Sequence, residues 1–87
     1  MKIPHTFSLA GSEWKVEQFP DFHVLGLCNR DIRTITLKQN VPKEVKEQTF
    51  CHELVHAIKY MMGEIDHDEK EVDVFAVFLH HFLITAR

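Results

Sequence analysis

The sequence predicts an α+β domain in which a small antiparallel sheet of three or four strands is followed by two antiparallel helices. Three observations support this fold class. In the first half of the chain, apolar and polar residues alternate in short runs, as they do in half-buried strands. In the second half, apolar residues recur at helical spacing over two longer stretches. Only a short acidic segment, residues 64–68, separates those stretches, so the helices are expected to be antiparallel neighbours.

The strands are predicted from this alternation and from turn residues. Phe7 and Leu9 precede a turn at residues 10–12, and Trp14 and Val16 follow it with polar neighbours, which indicates a hairpin with one apolar face. The residues at 19–21 interrupt the pattern. Two further strands are expected after this break, at residues 22–28 and 32–38.

The helices are predicted from start and stop residues. Pro42 suits a first helical turn because it has a fixed φ and no N–H to leave unpaired, and Gly63 is a natural helix stop. A second helix is expected from about Glu69 to Thr85. Its apolar stripe would comprise Val72, Phe75, Ala76, Leu79, Phe82 and Leu83.

Length, charge and cysteine content restrict the function. The chain has 87 residues, enough for one domain covering residues 1–87, and a core this small usually needs a metal, disulfides or self-association. Two cysteines, Cys28 and Cys51, cannot form a disulfide framework and predict a reducing, cytoplasmic location. The net charge of -3 argues against nucleic-acid binding. No apolar run approaches the length of a membrane span, so no membrane partner is expected.

Residues 52–56 form the motif that indicates chemistry. His52, Glu53 and His56 occupy the fixed positions of H-E-x-x-H within the first predicted helix. Because four residues make about one helical turn, both imidazoles project from one face and can share one metal ion. Glu53 is rotated away from the ligand direction, so it can reach a metal-bound water without being a ligand. The motif therefore predicts zinc ligation by the two histidines and catalysis by Glu53.

A catalytic zinc site needs a third protein ligand, and the start of the second helix offers carboxylates. Glu69 and Asp73 lie one turn apart on one face. Glu69 is expected to bind the metal, while Asp73 holds the free ring nitrogen of a histidine ligand. Glu71 lies about 160° around the helix from Glu69. Glu71, and less favourably His67, remain alternative third ligands.

These residues resemble a known family. The segment TFCHELVHAIKYMMG, followed by EKEVDVFAVFL, is similar to the minimal gluzincin metallopeptidases, including ImmA/IrrE-type and SprT-like small proteins often encoded by phages and mobile elements. The resemblance covers roughly residues 32 to 83. It implies a zincin-like fold in which zinc is bound by His52, His56 and Glu69, with Glu53 as the general base. The family pattern E-x-x-x-[D/N]-x-x-A would correspond to Glu69, Asp73 and Ala76.

The sequence thus predicts a zinc-dependent metallopeptidase of narrow specificity, with a strand edge holding an extended protein or peptide substrate. One alternative is a non-catalytic, zinc-stabilised interaction domain in which Glu71, His67 or His80 closes the site. Another is an interaction module, or a homo-oligomer, built on the C-terminal helix, which is apolar nearly all round. The group that stabilises the oxyanion is left open among His80, His81 and Tyr60.

Overall fold

The computed structural model describes the whole chain, residues 1–87, as a four-stranded sheet followed by two helices. The elements are β1 (Thr6–Leu9), β2 (Ser12–Phe19), β3 (Gly26–Asn29), β4 (Thr34–Lys38), α1 (Lys43–Met61) and α2 (Glu69–Thr85). The predicted α+β class is confirmed, and α2 has the predicted bounds.

The sheet has the strand order β1-β2-β4-β3. β1 and β2 form the expected antiparallel hairpin around Ala10 and Gly11, which both have positive φ. β3 and β4 are also antiparallel, with Cys28 opposite Ile35. β2 and β4 are parallel, with Val16 opposite Ile35. The expectation of a purely antiparallel sheet is therefore wrong for this central pair.

The parallel pair arises because β4 inserts between β2 and β3. After β2, residues 20–25 form a loop that leaves room for one strand in the sheet, and the chain then forms β3 at the sheet edge. β4 later fills the position between β2 and β3. The predicted strand at residues 22–28 is accordingly shorter and begins only at Gly26. The strand predicted at residues 32–38 begins at Thr34, because Arg33 has a φ of 47° and belongs to the preceding turn.

The helices stack in layers on the sheet. α1 packs against β3 and β4 on one side and against α2 on the other, so it lies between the sheet and α2. The core consists of Trp14, Val16, Ile35 and Leu37 from the sheet, Phe50, Cys51, Val55 and Ala57 from α1, and Val72 and Ala76 from α2. Of the predicted α2 stripe, Phe75, Phe82 and Leu83 are exposed instead of buried. With only α1 to pack against, α2 cannot bury a broader face.

The helices begin and end at residues that favour helix termini. Pro42 is the N-cap of α1, and Gly63, with a φ of 89°, follows its C-terminal end. The Asp68 side chain accepts hydrogen bonds from the backbone N–H groups of Lys70 and Glu71, which caps α2. These caps fix where α2 starts relative to α1. Neither helix has the length and apolar character to cross a membrane.

Candidate metal centre

His52, His56 and Glu69 come together between α1 and α2. One donor atom from each lies within 4.8 Å of the other two. The Nε2 atom of His52 is 3.4 Å from Oε2 of Glu69, and the Nε2 atom of His56 is 3.3 Å from Oε1 of the same carboxylate. Zinc–donor bonds of about 2.0–2.1 Å place two donors of a tetrahedral site roughly 3.3 Å apart. The donor types and the two histidine–carboxylate distances therefore fit a zinc ion.

Asp73 orients His52. The Nδ1 atom of His52 lies 2.8 Å from Oδ1 of Asp73, close enough to donate a hydrogen bond to the carboxylate. That contact assigns the ring proton to Nδ1 and leaves the Nε2 lone pair facing the cluster. Asp73 occupies the position that sequence reasoning expected of it, one turn after Glu69 on the same face of α2.

His67 orients His56, as Asp73 orients His52. The Nε2 atom of His67 lies 2.9 Å from the backbone carbonyl oxygen of Glu64, which can only accept a hydrogen bond. In neutral His67, Nδ1 is then the acceptor, and it lies 2.6 Å from Nδ1 of His56. His56 therefore donates from Nδ1 and keeps its Nε2 lone pair for a metal. The contact between the two imidazoles thus assigns the tautomer of His56.

The electrostatics also keep His56 in the ligating form. Burial lowers the pKa of His56, the nearby His52 and His67 act in the same direction, and Glu69 opposes them. A histidine must be deprotonated at one ring nitrogen to bind a metal. A lowered pKa therefore favours metal binding at neutral pH.

The two alternative third ligands are engaged elsewhere. Glu71 forms an ion pair with Lys59 of α1, and its hydrogen bond raises the pKa of that lysine. His67 directs one nitrogen to His56 and the other to the Glu64 carbonyl, so neither faces the cluster. Of the candidates on α2, the structure places Glu69 with the two histidines.

Glu53 is buried beside the cluster. Its pKa is raised to about 7, mainly by burial, and the charge of Glu69 adds to this rise while His52 opposes it. No hydrogen bond contributes to the shift, and the carboxyl group faces a groove of about 760 Å³ that runs along α1. The groove is lined by Leu25, Gly26, Glu44, Val45, Gln48, Thr49, His52, Glu53, Asp73, Val77 and His80.

Gly26 permits the close approach of β3 to α1 at this groove. A Cβ atom at Gly26 would lie 2.5 Å from Cγ2 of Thr49 and 3.2 Å from Cγ of Glu53. β3 pairs with β4 on one side only, so its other edge is free. The absence of a side chain at residue 26 thus brings an unpaired strand edge next to Glu53.

The three residues considered for oxyanion stabilisation have different surroundings. His80 lines the groove, and its Nε2 atom lies 2.9 Å from Oε1 of the buried Glu47. Tyr60 has its ring centroid 4.4 Å from that of His67. His81 is exposed on α2. The structure brings none of the three into the cluster of donor atoms.

Two features were not predicted from the sequence: the contact of His67 with His56, and the close approach of β3 to α1 at Gly26. His67 lies in the loop between the helices, where no periodicity indicates its direction, although its proximity to the second helix start made it a candidate ligand.

Comparison of the chain with protein-family models, curated proteins and solved structures finds no match.

Proposed function

We propose that this chain is a zinc-dependent peptide hydrolase, with His52, His56 and Glu69 as zinc ligands and Glu53 as the general base. The observation that carries the proposal is the combination at one site of three donor atoms within 4.8 Å of one another, two of whose histidine–carboxylate distances suit zinc, and the buried carboxyl group of Glu53 beside them. The two histidines and the carboxylate are a ligand set typical of catalytic zinc.

The open side of the cluster supports a catalytic site over a purely structural one. A structural zinc site has four protein ligands, whereas a catalytic site keeps one position for water or substrate. Here the side chains that could supply a fourth ligand have other partners: Glu71 binds Lys59, His67 binds His56, and His80 binds Glu47. The groove reaches the cluster at His52, beside Glu53.

When bound, zinc would supply Lewis-acid chemistry, making a coordinated water acidic enough to lose a proton near neutral pH. Glu53 would accept that proton on its carboxylate and deliver it to the nitrogen of the leaving amine. Its pKa of about 7 in the metal-free chain describes a group that exchanges protons near neutrality. Asp73 and His67 would hold the two imidazoles in place throughout.

The free edge of β3 supports an extended peptide as substrate. Gly26 and Leu25 form one wall of the groove, and α1 with Val77 of α2 forms the other. A peptide in the groove would pair its backbone with the unpaired groups of β3 and pass Glu53. Within the 87 residues described, only Leu25, β3, α1 and α2 line the groove, which supports narrow specificity.

The cysteines support a reducing compartment, for which we propose the cytoplasm. Both Cys28 and Cys51 are free thiols. Burial raises the pKa of Cys28 to about 12 and that of Cys51 to about 11, so neither is a reactive thiolate at neutral pH. Their role is to fill apolar space.

Hydrolysis of an internally quenched peptide library by zinc-loaded protein tests the proposal. The wild type is expected to cleave at least one sequence, and Glu53→Gln should keep its zinc but lose activity about 100-fold or more. Glu13→Gln, at an exposed glutamate on β2, is the matched control and should resemble the wild type. Cleavage by Glu53→Gln at the wild-type rate, or none by the wild type, would contradict the proposal. Zinc that raised the melting temperature without any cleavage would favour the zinc-stabilised domain instead.

A further inference from the structure

α2 has an outer face that nothing in the chain covers. Three phenylalanines dominate it: Phe75 is 62%, Phe78 is 70% and Phe82 is 63% exposed. Val74, Val77 and Ile84, each about half exposed, complete the face. We call these six residues the outer α2 face. Apart from Val77, which borders the groove beside α1, this face points away from α1, because α2 buries only Val72 and Ala76 on its other side.

The outer α2 face is large for a chain of this size. Its three phenylalanines alone expose roughly 300–500 Å², given the 150–250 Å² of an aromatic side chain, and Val74, Val77 and Ile84 add to this area. The largest apolar patch on a monomer is about 300–600 Å², and each partner in a stable complex buries about 800 Å².

We propose that the outer α2 face binds the same face of a second copy of the chain, with the two α2 helices antiparallel across a twofold axis. From residue 74 to residue 86 there is no Asp, Glu, Lys or Arg, so two copies can meet there without opposing like charges. A helix that lies on a membrane carries Lys or Arg beside its apolar residues, and this face has neither. Its chemistry is therefore complementary to itself.

The antiparallel arrangement follows from the order of residues along α2. Phe78 is at the middle of the stripe formed by Val74, Phe78 and Phe82. Across a twofold axis at Phe78, each Phe78 packs against its counterpart, and the smaller Val74 faces the larger Phe82 of the second copy. The exposed, acidic Glu71 of each helix then lies near the uncharged end of the other helix. A parallel pair would place the two acidic ends side by side.

The proposed dimer leaves the metal centre accessible. Glu69 and Asp73 lie on the side of α2 that faces α1, away from Phe78. Val77 belongs both to the outer α2 face and to the wall of the groove, so the second copy would lie beside the groove without filling it. The inference is therefore independent of whether the groove binds a peptide.

Sedimentation velocity of the zinc-loaded protein from 2 to 200 μM tests this proposal. The wild type should sediment as a dimer at the upper concentrations, and Phe78→Glu should weaken dimerisation about 100-fold or more, because it would bury an unpaired charge at the centre. Ile32→Glu is the control: Ile32 is 65% exposed, but it lies in the turn between β3 and β4. This variant should dimerise like the wild type.

A wild type that stays monomeric at 200 μM would overturn the proposal, as would a Phe78→Glu variant that remains dimeric. If Phe78→Glu does not fold, as judged by far-UV circular dichroism, Phe78→Cys decides the question. Mild oxidation with diamide should cross-link Phe78→Cys into a dimer but leave Ile32→Cys monomeric. Equal cross-linking of the two variants, or none in Phe78→Cys, would show that the helices do not meet at residue 78.

Discussion

Replacing Glu53 with glutamine should stabilise the metal-free protein at alkaline pH. The carboxyl group has a pKa of about 7 in the folded chain against an ordinary value of 4.5, because burial disfavours its charged form. With the native pKa raised, the free energy of unfolding falls as pH rises from 4.5 to 7 and stays low above that range. Each pKa unit corresponds to about 1.4 kcal/mol, so the ionised carboxylate costs about 3 kcal/mol at pH 8.

Urea unfolding in the presence of EDTA, followed by fluorescence of the buried Trp14, measures this effect. Glu53→Gln should be more stable than the wild type by up to about 3 kcal/mol at pH 8 and by less than about 1 kcal/mol at pH 5. Glu13→Gln should change stability by no more than about 0.5 kcal/mol at either pH, because Glu13 is exposed. An equal difference for Glu53→Gln at both pH values, or destabilisation at pH 8, would refute the reasoning.

Three other substitutions test the surroundings of the site. Gly26→Ala should lower the free energy of unfolding by about 1–3 kcal/mol, because its Cβ would lie 2.5 Å from a side-chain atom of α1; unchanged urea unfolding would argue against the close approach. His67→Ala should weaken zinc binding about 10–100-fold in a competitive chelator titration, since His56 loses its hydrogen-bond partner; equal affinity would exclude that role. The hydrogen bond from His80 is the main cause that lowers the pKa of Glu47. The stability that Glu47 contributes above pH 4.5 should therefore be lost as pH falls through its native pKa, and Glu47→Gln should flatten that dependence; parallel pH curves would contradict this sign.

The helices and the placement of His52 and His56 on one face were predictable because their information is local. Gly63 marks the end of α1, and the spacing of His52 and His56 places both on one face of any helix that contains them. The choice of Glu69 over Glu71 also follows from angular position on α2, although the ion pair that engages Glu71 requires Lys59 from the other helix. Periodicity within a helix is thus sufficient for these features.

The strand pairing and the contact between His67 and His56 were not predictable from local patterns. Alternation identifies strands such as β2 and β4 but does not specify their neighbours, because pairing depends on contacts between residues distant in sequence. The exposure of Phe78 has a similar origin. An apolar residue on an apolar helix is buried only if another layer covers it, and here α1 is the sole layer against α2.

Native mass spectrometry of zinc binding tests the central claim most directly. The wild type, Glu69→Ala and Glu71→Ala would each be supplied with zinc and measured for bound metal per chain. We expect one zinc ion in the wild type and in Glu71→Ala, and its loss or marked weakening in Glu69→Ala, because Glu69 has its carboxylate beside both histidines. A wild type that binds no zinc, or a loss caused by Glu71→Ala alone, would contradict the account.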